Sequence, residues 1–139
     1  MIYEEEIFIV SSKPLAEANN KFYIEVKNLK HYPFILVKEG HAIRTRTNSI
    51  FNTAGITPEI FLETTSNLTA VQMAQSGLGL AIVPRRTVEV LSCKDSLFTY
   101  SIGKEKETWD VDVIYLKGHY FTRSEEYLIK LMQDEFKHA

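Results

Sequence analysis

The stretch from Ala70 to Pro84 limits the possible folds more than any other part of the chain. Its first half has the spaced apolar residues of a helix, and Gly77 can adopt the left-handed conformation that ends one. The run from Leu78 to Val83 is almost wholly apolar, as expected for a strand covered on both faces. Pro84 cannot donate a hydrogen bond to a sheet and marks the end of the strand. The stretch therefore predicts a helix, a turn and a buried strand, in that order.

This order argues against a nucleotide-binding interpretation of the two glycines. A dinucleotide-binding fingerprint needs three glycines, placed between a strand and the helix that follows it. Here the third glycine is missing, and Gly77 and Gly79 lie between a helix and a strand. The chain also lacks the phosphate-binding P-loop sequence and the Gly-x-Ser-x-Gly sequence of many hydrolases. No cofactor is therefore predicted.

Short apolar runs alternate with amphipathic segments in the first two thirds of the chain. Further strands are predicted at Ile7–Val10, Phe34–Val37 and Glu59–Glu63. The segment after Gly40 has apolar residues on one helical face, and Gly55 is expected to end that helix. This alternation predicts an α/β fold with a mostly parallel central sheet flanked by helices.

The other predicted elements are less regular. The polar segment Ser11–Tyr32 is predicted to be a long connection, and strands are predicted at Leu97–Ile102 and Trp109–Leu116. A capping-box sequence, Thr122–Glu125, begins a C-terminal helix. Another helix is predicted after a cap at Thr65 or Ser66, with Leu68, Val71 and Ala74 facing inward. The apolar stripe of the C-terminal helix comprises Leu128, Met132 and Phe136.

Charge and composition argue against several classes of protein. The net charge of −2 provides no basic surplus for gripping DNA directly, and no apolar run approaches the roughly 20 residues that cross a membrane. The acidic start Met1–Glu6 is unlike a secretory signal. Cys93 has no cysteine partner and is interpreted as an unreactive thiol, which suits a reducing cytoplasm.

The sequence offers little evidence for catalysis or metal binding. Its four histidines have no metal-type spacing, and one cysteine cannot complete a zinc site. Asp110 and Asp112 are interpreted as solvated, and no nucleophile has an evident base. We therefore expect no metal and no enzymatic activity. A small α/β transferase or hydrolase remains an alternative, because catalytic residues can be distant in sequence.

Two helix starts follow predicted strands and are candidates for ligand binding. In open α/β sheets, ligands bind outside the carboxyl ends of the strands. Lys38–His41 and Thr64–Asn67 occupy such positions, and helix N-termini favour carboxylates and phosphates. The opposing interpretation is that the polar residues here are only helix caps and solvated side chains, namely Thr65, Ser66, His41, Arg44 and Arg46.

At these residues the chain resembles the effector-binding domain of LysR-type transcriptional regulators. The matching segments are Glu5–Ala16, Pro33–Gly40, Glu63–Leu68, Val71–Pro84 and Asp112–Lys117 with the final helix. The fourth segment is similar to the family signature Val-x-x-Gly-x-Gly-Ile-x-x-x-Pro, whereas Lys13 stands where the family usually has histidine. The resemblance implies the fold of type 2 periplasmic binding proteins, in which two α/β lobes enclose a cleft.

The family's winged helix-turn-helix, its linker helix and most of the first lobe have no counterpart in this chain. The resemblance therefore assigns residues 1–139 to a partial effector-binding domain, with the second lobe at about 11–117 and a C-terminal helix at about 122–138. The chain is expected to be either a piece of a longer regulator or a shortened gene product.

The resemblance implies a cytoplasmic, ligand-sensing domain that reaches DNA only through an absent helix-turn-helix domain. A small anionic effector is expected, because two helix starts lie near Arg44 and Arg85. By analogy with the family, the effector would contact Ser11 and Ser12 at the hinge, Glu39, Gly40 and His41, Thr64, Thr65 and Ser66, and Pro84 with Arg85.

An alternative function is self-association. Without the first lobe, the apolar stripe of the C-terminal helix lacks part of its expected partner surface, and an exposed apolar helix favours association. The resemblance likewise implies a homodimer or a higher homo-oligomer. Exchange of the C-terminal helix between two copies is one way to form it.

Overall fold

The computed structural model describes residues 3–19, 22–91 and 97–136. The chain divides into two compact units, one formed by Glu6–Glu107 and the other by Met1–Glu5 together with Thr108–Ala139. Cys93, for which we predicted an unreactive thiol, lies outside the described residues.

The described elements alternate between strands and helices, and the predicted α/β fold is confirmed. The strands are β1 (Tyr3–Ser11), β2 (Tyr23–Ile24), β3 (Pro33–Val37), β4 (Glu59–Thr64), β5 (Leu80–Pro84), β6 (Phe98–Ile102) and β7 (Glu107–Val111). The helices are α1 (Ala42–Ala54), α2 (Asn67–Gln75), α3 (Arg85–Val90) and α4 (Arg123–Phe136).

The sheet of the larger unit has the strand order β2-β6-β1-β5-β3-β4. Strand β3 is parallel to β4 and β5, and β2 is parallel to β6. Strand β1 runs antiparallel to both β5 and β6. The segment after β1, predicted as a long connection, contains β2 and two 3-10 helices, Ala16–Ala18 and Val26–Leu29. These pieces are only two to four residues long, which is too short for a periodic pattern to identify them.

The core of the larger unit lies where helices α1, α2 and α3 pack against β3 and β5. Phe34 and Phe51 are fully buried and meet edge to face, with ring centroids 5.1 Å apart. Burying one such side chain contributes about 1.5–3 kcal/mol. The continuous apolar runs of β3 and β5 therefore occupy the centre of the sheet, as their sequences predicted.

The helix, turn and strand predicted for the Gly77 segment are confirmed. Gly77 has a φ of +85° directly after α2, and β5 begins at Leu80. Gly79 is required because of a close steric contact, and not because of a positive φ angle. A Cβ atom on Gly79 would lie 2.6 Å from the backbone oxygen of Pro33, so β5 can begin this close to β3 only without a side chain. Gly55, with a φ of +72°, ends α1 as predicted.

Three sequence predictions need correction. Leu68 is 42% exposed, because Ala70, with Val71 and Ala74, forms the buried face of α2. The strand predicted at Trp109–Leu116 ends at Val111, and the residues after it, including Ile114 and Leu116, are exposed. Helix α3 was not predicted, because six residues are too few to show helical periodicity.

The smaller unit contains the start of β1, strand β7 and helix α4. Strand β7 pairs with β1, and Trp109 Nε1 donates a hydrogen bond to Glu5 Oε1 at 3.0 Å. The predicted cap of α4 is confirmed, since Glu125 N donates to Thr122 Oγ1 at 3.1 Å. His119 Nε2 lies 2.6 Å from Glu125 Oε2, and this hydrogen bond lowers the pKa of Glu125 from its usual value.

The apolar stripe predicted on α4 is only partly covered. Leu128 and Leu131 are exposed, whereas Met132 is partly buried. The side chain of Phe136, the third residue of the predicted stripe, lies outside the described part of the chain. Within that part, no helix combines the length and the apolar character needed to span a membrane.

Candidate functional site

The structure brings the two predicted helix starts together at one edge of the sheet. Lys38 N donates to Thr64 O at 2.8 Å, and Val37 pairs with Thr64 in the parallel register of β3 and β4. We refer to Lys38–His41 and Thr64–Ser66, which lie at the carboxyl ends of these strands, as the paired-turn edge. In an α/β sheet this is the edge where ligands bind.

Helix α2 begins at the paired-turn edge with a conventional serine cap. Ser66 Oγ accepts a hydrogen bond from Thr69 N at 3.4 Å, which confirms the prediction that Thr65 or Ser66 caps this helix. Thr64 Oγ1 in turn accepts a hydrogen bond from Ser66 N at 3.4 Å. The side chain of Thr65 is exposed between these two residues. The capping role therefore falls to Ser66, and Thr65 presents its hydroxyl at the surface.

Helix α1 begins differently, without a side-chain cap. His41 is its N-cap residue, but the imidazole makes no capping hydrogen bond and is exposed. Gly40 precedes it with a φ of +95°, and a Cβ atom built on Gly40 would meet nothing within 4 Å. The first N–H groups of a helix have no partner within the helix. An uncapped helix start beside open space is therefore suited to hydrogen-bond an anion.

Arg44 is neither a solvated residue nor an available anion contact. Its side chain is 6% exposed, and its guanidinium lies between Glu63 Oε2, at 2.6 Å from Nη1, and Glu39 Oε1, at 3.2 Å from Nη2. The interpretation of Arg44 as a solvated side chain is therefore wrong. Sequence reasoning missed this arrangement because Glu63 lies 19 residues further along the chain and belongs to another element.

The exposed carboxylate of Glu39 is also engaged. Its Oε1 accepts a hydrogen bond from Asn48 Nδ2 at 3.0 Å, in addition to the contact with Arg44. Glu39 therefore remains at the paired-turn edge, but its carboxylate is held against α1.

Pro84 and Arg85 lie near the paired-turn edge. Because β3 and β5 are parallel, with Ile35 opposite Ala81, continuing the register brings Pro84 level with Lys38. Arg85 is half-exposed, and its Nε lies 3.2 Å from Glu89 Oε1, one helical turn further along α3.

The structure does not bring Ser11 and Ser12 to this edge. Strand β1 is antiparallel to β5, with Ile7 opposite Pro84 and Val10 opposite Ala81. The carboxyl end of β1 consequently lies beside the amino end of β5, at the other edge of the sheet. Ser11 is buried, and its Oγ donates to Lys13 O at 2.7 Å within its own turn. The two compact units divide between residues 5 and 6 and again between residues 107 and 108.

A cavity of about 270 Å³ lies elsewhere in the larger unit. Its lining includes Ile50 and Thr53 from the second half of α1, together with Glu25, Ile102 and Glu107. None of the predicted effector-binding residues lines this cavity. Among the described residues, no three histidines, cysteines or acids lie together as a group that could hold a metal ion.

Known proteins similar to this chain are transcriptional regulators. A "probable hydrogen peroxide-inducible genes activator" of Mycobacterium leprae is 30% identical over 97 residues, which cover 69% of this chain and 31% of that protein. The chain thus spans about three tenths of the length of this curated relative.

Two solved structures have the same fold at low sequence identity. The effector-binding domain of QuiR in complex with shikimate matches with a TM-score of 0.77 and 18% identity, over 99% of this chain and 64% of that one. The regulatory domain of CcmR from Synechocystis PCC6803 in complex with 2-PG matches with a TM-score of 0.78 and 16% identity, over 99% and 65%.

The family "LysR substrate binding domain" matches residues 1–137, almost the whole chain. Together with the α/β architecture and the paired-turn edge, this match identifies the chain as a member of the LysR substrate-binding domain family.

Proposed function

We propose that this chain senses a small anionic effector at the paired-turn edge. The observation that carries this proposal is the open start of α1, which has no side-chain cap and follows a turn hydrogen-bonded through Lys38 N to Thr64 O, the residue before the exposed Thr65. The attraction for an anion comes from backbone N–H groups of the helix start. It does not come from Arg44, which two carboxylates already engage.

The bound molecules of the two structural neighbours support the same chemical class. QuiR was solved with shikimate, a hydroxylated carboxylic acid, and CcmR with 2-PG. Hydroxyl side chains and helix N–H groups are suitable partners for such an acid. We refer to shikimate, 2-PG and inorganic phosphate as the acid panel, with phosphate included to detect unspecific anion binding.

We propose that this chain works as the sensing domain of a DNA-binding regulator. We propose that residues of about 11–117 act as the second lobe of an effector-binding domain, and that about 122–138 form its closing helix. In this proposal, effector binding changes how a separate helix-turn-helix domain of the cytoplasmic regulator engages DNA. Such a response requires the effector to bind the two states of the regulator with unequal affinity. We propose no enzymatic activity, in line with the relative's description as a gene activator.

The exposed hydroxyl of Thr65 provides a test of effector binding. We expect Thr65→Ala to weaken binding of shikimate or 2-PG about fivefold, which corresponds to the loss of one hydrogen bond worth about 1 kcal/mol. Ser66→Ala should weaken binding too and should also destabilise α2 by about 1 kcal/mol, because it removes the cap. Isothermal titration calorimetry of the 139-residue chain measures affinity, and urea unfolding measures stability.

The control is Ser76→Ala, which removes an exposed hydroxyl at the far end of the same helix. It should leave the affinity unchanged. Equal affinities in wild type, Thr65→Ala and Ser66→Ala would contradict the proposed site, and so would the absence of saturable binding by either organic acid.

Self-association is a second candidate function, and the exposure of α4 favours it. Leu128 and Leu131 are exposed on the described face of this helix, and Tyr127 lies beside them. We propose that this face joins two copies of the chain in a homodimer. The two functions are compatible, because the paired-turn edge belongs to the larger unit and α4 to the smaller one.

A further inference from the structure

Arg44 occupies a position that local physics disfavours. It is the third residue of α1, where the partial positive charge of the helix N-terminus repels a cation. Its side chain is also 6% exposed, and burying a charge is costly unless partners compensate it. Contacts with negatively charged or hydrogen-bond-accepting groups must therefore offset both the repulsion by the helix N-terminus and the cost of burying the charge.

Those contacts come from the ends of two strands. Side chains of a helix lean towards its N-terminus, so the guanidinium reaches back past the start of α1. Nη1 donates to Val37 O at 3.1 Å, at the end of β3, and to Glu63 Oε2 at 2.6 Å, near the end of β4. One nitrogen atom therefore bridges the two strands that lead into the paired-turn edge.

The other nitrogen atoms of Arg44 contact Glu39, in the turn Lys38–His41, and Asn48, in α1. Nη2 lies 3.2 Å from Glu39 Oε1, and Nε donates to Asn48 Oδ1 at 2.9 Å. Asn48 Nδ2 then donates to Glu39 Oε1 at 3.0 Å, which closes a ring of three side chains. Glu39 is thereby fixed against α1 although its side chain is 67% exposed.

We propose that Arg44 is the positioning residue of the paired-turn edge and fixes the two turns relative to each other. This inference rests on the proposed function, because it concerns the same site. The planar guanidinium can serve Val37, Glu63 and Glu39 together, whereas the point charge of a lysine cannot reproduce that geometry. A ligand at the edge therefore meets two turns that one buried side chain holds in place.

The test measures backbone order in the ligand-free chain by nitrogen-15 relaxation. In wild type, the amides of Gly40, His41 and Thr65 should have order parameters of about 0.85, as in rigid backbone. In Arg44→Met they should fall below about 0.6 at both turns, and Arg44→Lys should restore only part of the order. A side chain that contributed only to global stability would leave these local values unchanged.

The matched control is Arg46→Met, which removes the other arginine of α1. Arg46 forms an ion pair with Glu107, outside the paired-turn edge. This variant should keep all three amides rigid. If Arg44→Met does not fold, Glu63→Gln replaces it, and the same loss of order at Gly40 and Thr65 is expected.

Order parameters that stay near 0.85 in the Arg44 or Glu63 variant, a loss of order at only one turn, or an equal loss in Arg46→Met would overturn the inference. The measurement needs no ligand, so its failure is distinct from failure of the proposed function. If the two turns are rigid in wild type but bind none of the acid panel, the proposed function is contradicted and the inference about Arg44 is not.

Discussion

Nη1 of Arg44 lies 2.6 Å from Oε2 of Glu63, which joins the start of α1 to the end of β4. The guanidinium is buried, whereas the carboxylate is 41% exposed. Strand β4 is the last strand on one side of the sheet, and three of its apolar residues, Ile60, Phe61 and Leu62, are exposed. The ion pair therefore contributes to holding a poorly covered strand in place, and it does so next to the proposed binding site.

The unequal burial of this pair predicts unequal effects of removing each partner. Glu63→Leu leaves a buried cation short of a partner and should cost about 2–3 kcal/mol of unfolding free energy. Arg44→Met leaves two carboxylates that water can reach and one buried carbonyl, Val37 O, without its donor, and should cost about 1–2 kcal/mol. Urea unfolding measures both. Glu59→Leu, at the other end of β4, is the control and should stay within about 0.5 kcal/mol. A larger loss for Arg44→Met than for Glu63→Leu would contradict this account.

The close approach of Gly79 to Pro33 predicts a strict requirement for glycine. A methyl group at residue 79 would lie 2.6 Å from a backbone oxygen, which cannot move without shifting β3. Gly79→Ala should therefore destabilise the chain by about 1–3 kcal/mol, the usual cost of overpacking. Leu78→Ala, at the exposed neighbouring residue, should cost less than about 1 kcal/mol. Thermal unfolding compares the two variants, and equal stability would be inconsistent with the observed contact.

The hydrogen bond from Tyr32 to Glu17 predicts an alkaline change in stability. Tyr32 Oη donates to Glu17 Oε1 at 2.6 Å, and this bond, with burial and the nearby negative charge, raises the pKa of Tyr32 from 10.0 to about 12. Between these values the folded chain keeps a proton that the unfolded chain has released. The hydrogen bond therefore makes its full contribution to the free energy of unfolding below pH 10, and this contribution is lost as the pH rises towards 12.

Phenolate absorbance measures this titration directly. Tyr32→Phe should remove the step near pH 12, and Glu17→Gln should move it back towards 10. If Tyr32→Phe removes a step near pH 10 instead, or if the step stays near pH 12 in Glu17→Gln, the hydrogen bond does not set the titration of Tyr32.

The exposed face of α4 predicts concentration-dependent dimerisation. Leu128→Glu and Leu131→Glu should each weaken the dimer at least about tenfold, because a charge replaces an apolar contact residue. Lys130→Glu, an exposed site on the same helix, should weaken it far less. Sedimentation equilibrium measures these constants. A wild-type chain that remains monomeric at its highest soluble concentration would refute self-association through this face.

The sequence predicted correctly those elements whose structure depends only on a few neighbouring residues. The apolar runs of β3 and β5, the glycine after α2 and the cap of α4 each follow from a few neighbouring residues. The alternation of these elements was also enough to predict the α/β class and the edge at which two helices begin.

Features that depend on distant residues could not be predicted in this way. Nothing near Arg44 indicates that Glu63 will meet it. The apolar run Ile7–Val10 predicts a strand but not its direction, and that direction places Ser11 at the opposite edge of the sheet. Leu68 was assigned to the core because it is apolar, although small alanines could fill the same helix face.

Mapping the acid panel on the 139-residue chain by amide chemical shifts tests the central claim most directly. The account predicts that the two organic acids shift the amides of Gly40, His41, Thr65 and Ser66 in a saturable manner and more strongly than phosphate does. Shifts that cluster elsewhere, an equal response to phosphate, or no saturable shift at these four amides would contradict the assignment of the paired-turn edge as the effector-binding site.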